Sequence, residues 1–227
     1  MLFRSATLSD VNKELVDCYN QVKADPNEIS VLLDKHTKKH SVKYYYRMRK
    51  KYNKLDADIE KSALFIYLNK SCFNGIWRVN KKGEFNVPWG RKEKPAIPSK
   101  EELIEISKRL RRAKILHRNY QKVLRYAKKD DLIYFDPPYP KINGNGFTKY
   151  TKDGFTDQDH EELVGVARAL DQKGCYVMIS NADIPRIRKF YRDGFYFYDI
   201  EVTHFIRADG VRKKVKEVII TNYCVEE

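Results

Sequence analysis

Apolar positions fall at helical spacing through most of the first half of the chain. Leu2 to Ser9 reads as a strand ending at Asp10. Asn12 to Lys23 follows as a helix with Leu15, Cys18, Tyr19 and Val22 on one face, and Pro26 lies beyond its end. Residues 27–36 and 42–53 form two more helices. Residues 58–69 form a fourth, with Ile59, Ala63, Ile66 and Tyr67 at helical spacing. The periodicity breaks over residues 71–98, where Gly75, Gly83, Gly90, Pro88, Pro95 and Pro98 mark an extended loop with a hairpin at Asn80-Lys-Lys-Gly83. Ser99 with Glu102 is a capping box. It opens a helix that turns Leu103, Ile106 and Leu110 inward and Lys108, Arg109, Arg111 and Arg112 outward.

The second half alternates strand and helix. Ile115 to Arg118 is a short strand, and Leu132 to Phe135 is an unbroken apolar run that reads as a buried strand. A Gly-rich loop, Asn143 to Gly146, precedes a helix capped by Thr156 with Asp159. That helix carries Leu163, Val166, Ala167 and Leu170 on one face and stops at Gly174. Cys175 to Ser180 is a second buried strand, ending in Asn181-Ala-Asp183. Residues 185–193 form a short helix. Phe195 to Ile206 and Val215 to Tyr223 are the last strands, joined by a basic loop, Arg207 to Lys214. This order predicts a doubly wound α/β domain made of residues 1–35 and 114–227, with residues 36–113 inserted as a basic helical lobe.

Charge sharpens the picture. The 227 residues carry a net charge of +14 with a pI near 9.5, which favours an anionic partner. Between His36 and Tyr126 there are 25 Lys+Arg against 8 Asp+Glu, and the rest of the chain is close to neutral. A general lysine bias is the alternative, but it would have raised the flanks as well. Hydrophobic residues make up 42% of the chain, enough for a core. The four cysteines, Cys18, Cys72, Cys175 and Cys224, have no paired spacing, which argues against a zinc site or a disulfide framework and for a reducing compartment. No apolar run approaches the roughly 20 residues of a membrane span, and no signal peptide is evident.

The chemistry concentrates at Asp136-Pro137-Pro138-Tyr139. Two prolines end the strand and force a turn at its carboxyl end, where open α/β sheets place their ligands. An exocyclic amine on a nucleobase is a poor nucleophile because its lone pair is delocalised into the ring. A carboxylate accepting one N–H and a rigidly aimed carbonyl accepting the other draw the nitrogen toward a tetrahedral, nucleophilic shape. Asp136 and the Pro137 carbonyl suit those roles, and the Tyr139 ring can stack on a base taken out of its duplex. The alternative is a proline turn with an incidental tyrosine. In residues 69–91, Phe73, Trp77, Phe85 and Trp89 are interleaved with Arg78, Lys81, Lys82 and Arg91, followed by Lys92 and Lys94. Such a loop suits a nucleic-acid surface; the alternative is that its rings pack inward beneath solvated lysines.

Three segments together resemble the Dam-type DNA adenine-N6 methyltransferases, especially those of the DpnII restriction–modification kind. They are Leu8-Ser9-Asp10-Val11-Asn12 with Leu15 and Tyr19; Phe73-Asn74-Gly75-Ile76-Trp77-Arg78 with Gly83-Glu84-Phe85-Asn86-Val87-Pro88-Trp89-Gly90-Arg91; and Asp136-Pro137-Pro138-Tyr139 with Phe155-Thr156 and Ile179-Ser180-Asn181. The resemblance spans essentially the whole chain. It implies a Rossmann-like S-adenosylmethionine-dependent methyltransferase sheet with a DNA-recognition lobe at 36–113, acting on adenine N6 within GATC by base flipping, without metal or covalent enzyme intermediate. It implies a cytoplasmic protein of bacterial, phage or other viral origin.

By the same resemblance, S-adenosylmethionine is bound by Asp10 at its ribose, by Asn119 and Tyr120 near its adenine, and at Asp136. The target adenine is held by Asp136, Pro137, Pro138 and Tyr139. Double-stranded DNA meets Phe73 as a wedge, Asn74 and Ile76 beside it, Arg78 as a guanine reader, and Arg91 and Lys92 at phosphates. One departure stands out: the family's Phe-x-Gly-x-Gly loop, which precedes the Asp10 segment and approaches the cofactor's methionine part, has no counterpart in the sequence. The strand before that loop would be central, so its loss exposes two sheet edges. A truncated chain, a split enzyme completed by a second polypeptide, and a non-catalytic DNA binder all accommodate that departure.

Overall fold

A computed structural model describes residues 5–140, 155–204 and 213–225. The loop at Asn143 to Gly146 and most of the basic loop, residues 207–212, lie outside the described residues, as do residues 1–4 of the first strand. The chain is mixed α/β and divides into two compact units, residues 1–120 and 121–227.

The first unit begins with β1 (Ala6–Asp10), followed by α1 (Lys13–Ala24), α2 (Pro26–Lys38), α3 (Val42–Tyr52) and α4 (Ile59–Ser71). After the loop come α5 (Lys100–Leu110) and β2 (Ala113–His117), which pairs in parallel with β1 from Ala6↔Ala113 to Asp10↔His117. Side chains at the helix starts fix the boundaries. Asn12, Asp25, Ser41, Asp58 and Ser99 each accept from an amide in the first turn, satisfying donors that a helix leaves unpaired. Helix α4 is the centre of this unit. Ser62, Ala63, Leu64, Phe65, Tyr67, Leu68 and Ser71 are all buried, more than one face of a helix can hold, because α1, α2 and α3 each pack against it.

Two helices differ from the sequence reading. Tyr19 on α1 is exposed and Val16 is buried instead. The helix is flanked on two sides: Cys18 and Val22 enter the helical core, while Asn20 Nδ2 and Lys23 Nζ donate to the carbonyls of Ile115 and Ala113 on β2, at 3.4 and 2.7 Å. Tyr19 falls between those two faces. On α5, Leu103 is buried but Ile106 is 38% exposed. Ser107 takes the inner position because its hydroxyl donates to the Lys23 carbonyl at 2.9 Å, so a polar residue is accommodated there.

The second unit holds β3 (Leu132–Phe135), α6 (Asp157–Gln172), β4 (Tyr176–Ala182), α7 (Pro185–Tyr191), β5 (Tyr196–His204) and β6 (Lys213–Thr221). The strand order is β3-β4-β6-β5, with β3 parallel to β4 and the other pairs antiparallel. The Thr156–Asp159 capping box opens α6 as expected, and Gly174, with φ of 75°, closes it. Leu163, Val166, Ala167 and Leu170 of α6 are buried with Ile187 and Tyr191 of α7 and with Ile133, Phe135, Val177, Ile179, Val218 and Ile220 of the strands. The expectation of a strand buried on both faces fails for β3. Ile133 and Phe135 are inside, whereas Leu132 is 42% and Tyr134 is 57% exposed. The strand stands at the end of its sheet, and its residues alternate between a covered and an open face.

Candidate active site and nucleic-acid surface

Alternation along β3 carries the side chain of residue 136 to the open face, beside Tyr134. The register Tyr134↔Met178 places Ser180, two residues on in β4, next to it. Ser180 Oγ donates to Asp136 Oδ1 at 2.7 Å, and the Tyr134 hydroxyl donates to Ser180 Oγ at 2.9 Å. The Asp136 residue is exposed, Pro137 is buried, and Pro138 and Tyr139 are half-buried, so the turn is anchored while its carboxylate meets solvent. The Tyr139 hydroxyl donates to Oε2 of Glu217 at 3.3 Å; Glu217 is buried on β6 opposite Ala182. Burial pushes the Tyr139 hydroxyl well above its ordinary range, the Ser180 hydroxyl opposes this, and the Asp136 and Glu217 carboxylates add to it. Tyr139 is therefore a neutral phenol at physiological pH, fit to stack and donate but not to act as a base.

The turn thus offers an accessible carboxylate acceptor, a rigid proline-bounded backbone and an aromatic ring within one unit. Tyr134 and Glu217 were not singled out as site residues in the sequence, and Ser180 entered only as part of a similar segment. For Tyr134 a signal existed, since residues 134 and 136 share a face of any strand. Glu217 had none: it is brought in by the β4–β6 pairing from far along the chain.

In the first unit, Asp10 ends β1 at its carboxyl end. Its Oδ1 accepts from the Asn12 amide at 2.7 Å, and its carbonyl accepts from the Arg118 amide at 3.0 Å. That second bond ties the end of β1 to the segment holding Asn119 and Tyr120, so three of the expected cofactor residues gather at one end of the strand pair. A carboxylate there suits vicinal ribose hydroxyls. These residues fit the nucleoside part of S-adenosylmethionine.

The loop after α4 is more ordered than its composition suggested. Phe73 N donates to the Pro88 carbonyl at 2.9 Å and Gly90 N to the Ser71 carbonyl at 2.9 Å, closing the loop on itself. The expected hairpin is present: Gly83 N donates to Asn80 O at 2.9 Å, with φ of 81° at Gly83. Three of the four aromatics turn inward. Phe85 is buried, Trp77 packs on Phe65 and Phe85 with ring centroids 4.8 and 5.1 Å away, and Trp89 lies against the core. Phe73 alone of the four stays substantially exposed, at 42%. Next to it, Asn74 has φ of 51° and Arg91 has φ of 55°, a left-handed backbone uncommon outside glycine and often found where a chain must present residues. Arg78 is exposed and held by Asn86. Ile76 is half-buried against the core, and Lys92 Nζ donates to the Lys70 carbonyl at the end of α4, at 2.8 Å.

Helix α3 adds a basic surface. It contains no acidic residue, and Lys43, Arg47 and Lys50 recur on its exposed side while Tyr44, Tyr45, Met48 and Tyr52 are buried. Among the described residues no ion pair engages those three cations, and no group of three or more His, Cys, Asp or Glu side chains converges as a metal site.

The profile of the D12 class N6 adenine-specific DNA methyltransferases matches residues 2–206. The type II methyltransferase M1.LlaDCHI of Lactococcus lactis subsp. cremoris is 37% identical over 231 residues, covering 97% of this chain and 80% of its own. The type II methyltransferase M.MjaIII of Methanocaldococcus jannaschii is 37% identical over 235 residues, covering 97% and 81%. The DNA adenine methylase of Escherichia coli is 31% identical over 223 residues, covering 96% and 79%. The exposed carboxylate of the proline turn and the loop presenting Phe73 and Arg78 are therefore parts of a DNA-modifying enzyme: the chain belongs to the D12 class of N6 adenine-specific DNA methyltransferases.

Proposed function

We propose that this chain transfers a methyl group from S-adenosylmethionine to N6 of an adenine flipped out of duplex DNA, within GATC. The observation that carries the reading is Asp136, an exposed carboxylate fixed at the end of β3 with Tyr139 beside it in the same turn. The cofactor supplies an electrophilic methyl on a sulfonium. Asp136 accepts one N–H of the target amine and the Pro137 carbonyl the other, while Tyr139 stacks on the base and remains protonated. Asp10, Asn119 and Tyr120 hold the nucleoside part of the cofactor. Residues 36–113 form the recognition part, in which Phe73 wedges into the duplex with Asn74 and Ile76 beside it. Arg78 reads a guanine, and Arg91 and Lys92 hold phosphates. Residues 1–35 and 114–227 form the catalytic part. GATC rests on the match of the Asn74–Arg78 stretch to the Dam-type pattern.

A second polypeptide is one source of a glycine turn for the methionine part of the cofactor. Among the described residues β1 pairs only with β2, and β3 only with β4, so each leaves an edge open to a further strand. The test is incubation of the 227-residue chain with labelled S-adenosylmethionine and duplexes with and without GATC. Label in adenine of the GATC duplex alone supports reaction, base and site together. Salt-sensitive DNA binding with no label in any duplex counts against activity of the chain alone and favours a split enzyme or a DNA binder. Label in both duplexes overturns the assigned site.

A further inference from the structure

The structure assigns Ser180 and Tyr134 a positioning role: together they orient the Asp136 carboxylate toward the target amine. This rests on the methyl-transfer reading above. The order of donors is dictated by chemistry. An ionised carboxylate can only accept, so the single proton of the Ser180 hydroxyl is committed to Asp136 Oδ1, at 2.7 Å. The Ser180 oxygen is then able to accept, and the Tyr134 hydroxyl donates to it at 2.9 Å, with the Tyr139 hydroxyl also in its reach. Two donors in series polarise one another and fix the side-chain torsions of the aspartate.

Location supports the same role. Ser180 is 4% exposed, so its hydroxyl must be paired, and the pairing it finds is to the carboxylate rather than to its own backbone. Asp136 Oδ1 accepts this bond, and the carboxylate keeps further lone pairs with which to accept from the base. A carboxylate on a solvent-exposed turn would otherwise sample several rotamers. Holding it before the base arrives removes that ordering cost from the reaction.

A double-mutant cycle tests the assignment. Transfer rate and binding are measured for wild type, Ser180→Ala, Tyr134→Phe, Asp136→Ala and the pairs with Asp136→Ala. Binding compares duplexes carrying adenine or purine, which lacks the amino group, at the target position. Ser180→Ala is expected to lower kcat about tenfold, the scale of one hydrogen bond to a charged group, and to lower the adenine-over-purine preference by no more than the about threefold that loss of Asp136 itself would cost. Tyr134→Phe, at a largely exposed position that removal of one hydroxyl cannot unfold, is expected to lower kcat about threefold and the preference less than Ser180→Ala does. Ser180→Thr, which keeps the hydroxyl, restores them. Neither substitution has any further effect on the adenine-over-purine preference once Asp136 is alanine, binding being the readout left where transfer is abolished. Equal losses with and without Asp136, or none at all, overturn the relay. A wild-type chain that neither transfers methyl nor prefers adenine overturns the parent reading instead, and the relay with it.

Discussion

Arg78 is clasped by Asn86 across the hairpin: Nε donates to Asn86 Oδ1 at 2.8 Å, Nη2 to its carbonyl at 3.3 Å, and Asn86 N returns a bond to the Arg78 carbonyl at 3.2 Å. The clasp uses one edge of the guanidinium and leaves donors for a base edge, with less side-chain freedom to lose on binding. Arg78→Ala is expected to relax choice at one base pair by about 1–3 kcal/mol. Measuring the rate on duplexes altered in turn at each position of the site checks this. Unchanged preference at every position removes Arg78 as a reader.

Gly90 is held where no side chain fits. A Cβ built there would lie 2.3 Å from the Cys72 carbonyl oxygen and 2.6 Å from its carbon, both backbone atoms that cannot swing aside. Gly90→Ala must pry the loop from the end of α4, breaking the Gly90–Ser71 and Phe73–Pro88 bonds. A loss of about 1–3 kcal/mol is expected, read as a lower denaturant midpoint. DNA binding should fall further than stability does, because Phe73 and Arg91 flank the bonds that break. An unaltered midpoint would show that the loop has slack.

Much of this was legible in the sequence, and the reasons are local. Caps at Asn12, Ser99 and Thr156 and the stop at Gly174 depend on neighbours within a few residues, so helix ends followed the expected lines. Where a second layer of contacts decides, sequence alone left placements open or wrong. Trp77 and Phe85 sit in a Gly-rich, polar stretch but pack on Tyr52 and Phe65 from α3 and α4, contacts no periodicity can announce. Leu132 and Tyr134 looked like interior residues because the run is apolar, yet whether a strand is central or terminal depends on its neighbours, not on itself. At the site, Asp136 and Tyr139 were visible as a motif, while Glu217 reaches Tyr139 only through strand pairing.

Asp136 and DNA affinity should separate cleanly. The carboxylate is exposed and none of the basic surface depends on it, so Asp136→Ala is expected to abolish methyl transfer while leaving duplex affinity within about threefold, the size of one exposed interaction. Fluorescence anisotropy beside the transfer assay reads both. Persistent transfer in the variant would remove Asp136 from the chemistry.

Two buried histidines set an acid limit on the fold. Burial holds His36 down to about 4, with Lys51, Lys39 and Lys35 reinforcing this and Glu60 opposing it; His160 is likewise held to about 4 by burial, with Asp159 opposing. Both are neutral when folded and take a proton more readily when unfolded. Their stabilising contribution is complete above about 6.5, the ordinary histidine value, and is lost as pH falls from there toward 4. Each is worth at most about 3 kcal/mol over that window. Urea midpoints at pH 7 and pH 4.5 should differ strongly in wild type and less in His36→Phe, where the ring is kept against Tyr44 and Tyr67. Equal slopes with pH in both proteins would exclude His36.

The exposed side of α3 provides a test of where DNA lies. Lys43, Arg47 and Lys50 follow one another at intervals of four and three, the spacing of one helix face, and Arg47 is steadied over the Tyr44 ring at 5.0 Å. Lys51 is set apart because Glu60 neutralises it. If the three cations each meet a phosphate, replacing them together with alanine releases fewer counterions on binding. The slope of log affinity against log salt should then become shallower by about 2 to 3, near 0.9 per lost contact. The folded core is untouched, since Tyr44, Tyr45, Met48 and Tyr52 point away from that side. Weaker binding at one salt concentration alone would not be decisive, because any surface charge steers a polyanion. An unchanged slope is decisive: it would mean α3 is a solvated face and that the duplex runs over the Phe73 and Arg78 loop without it.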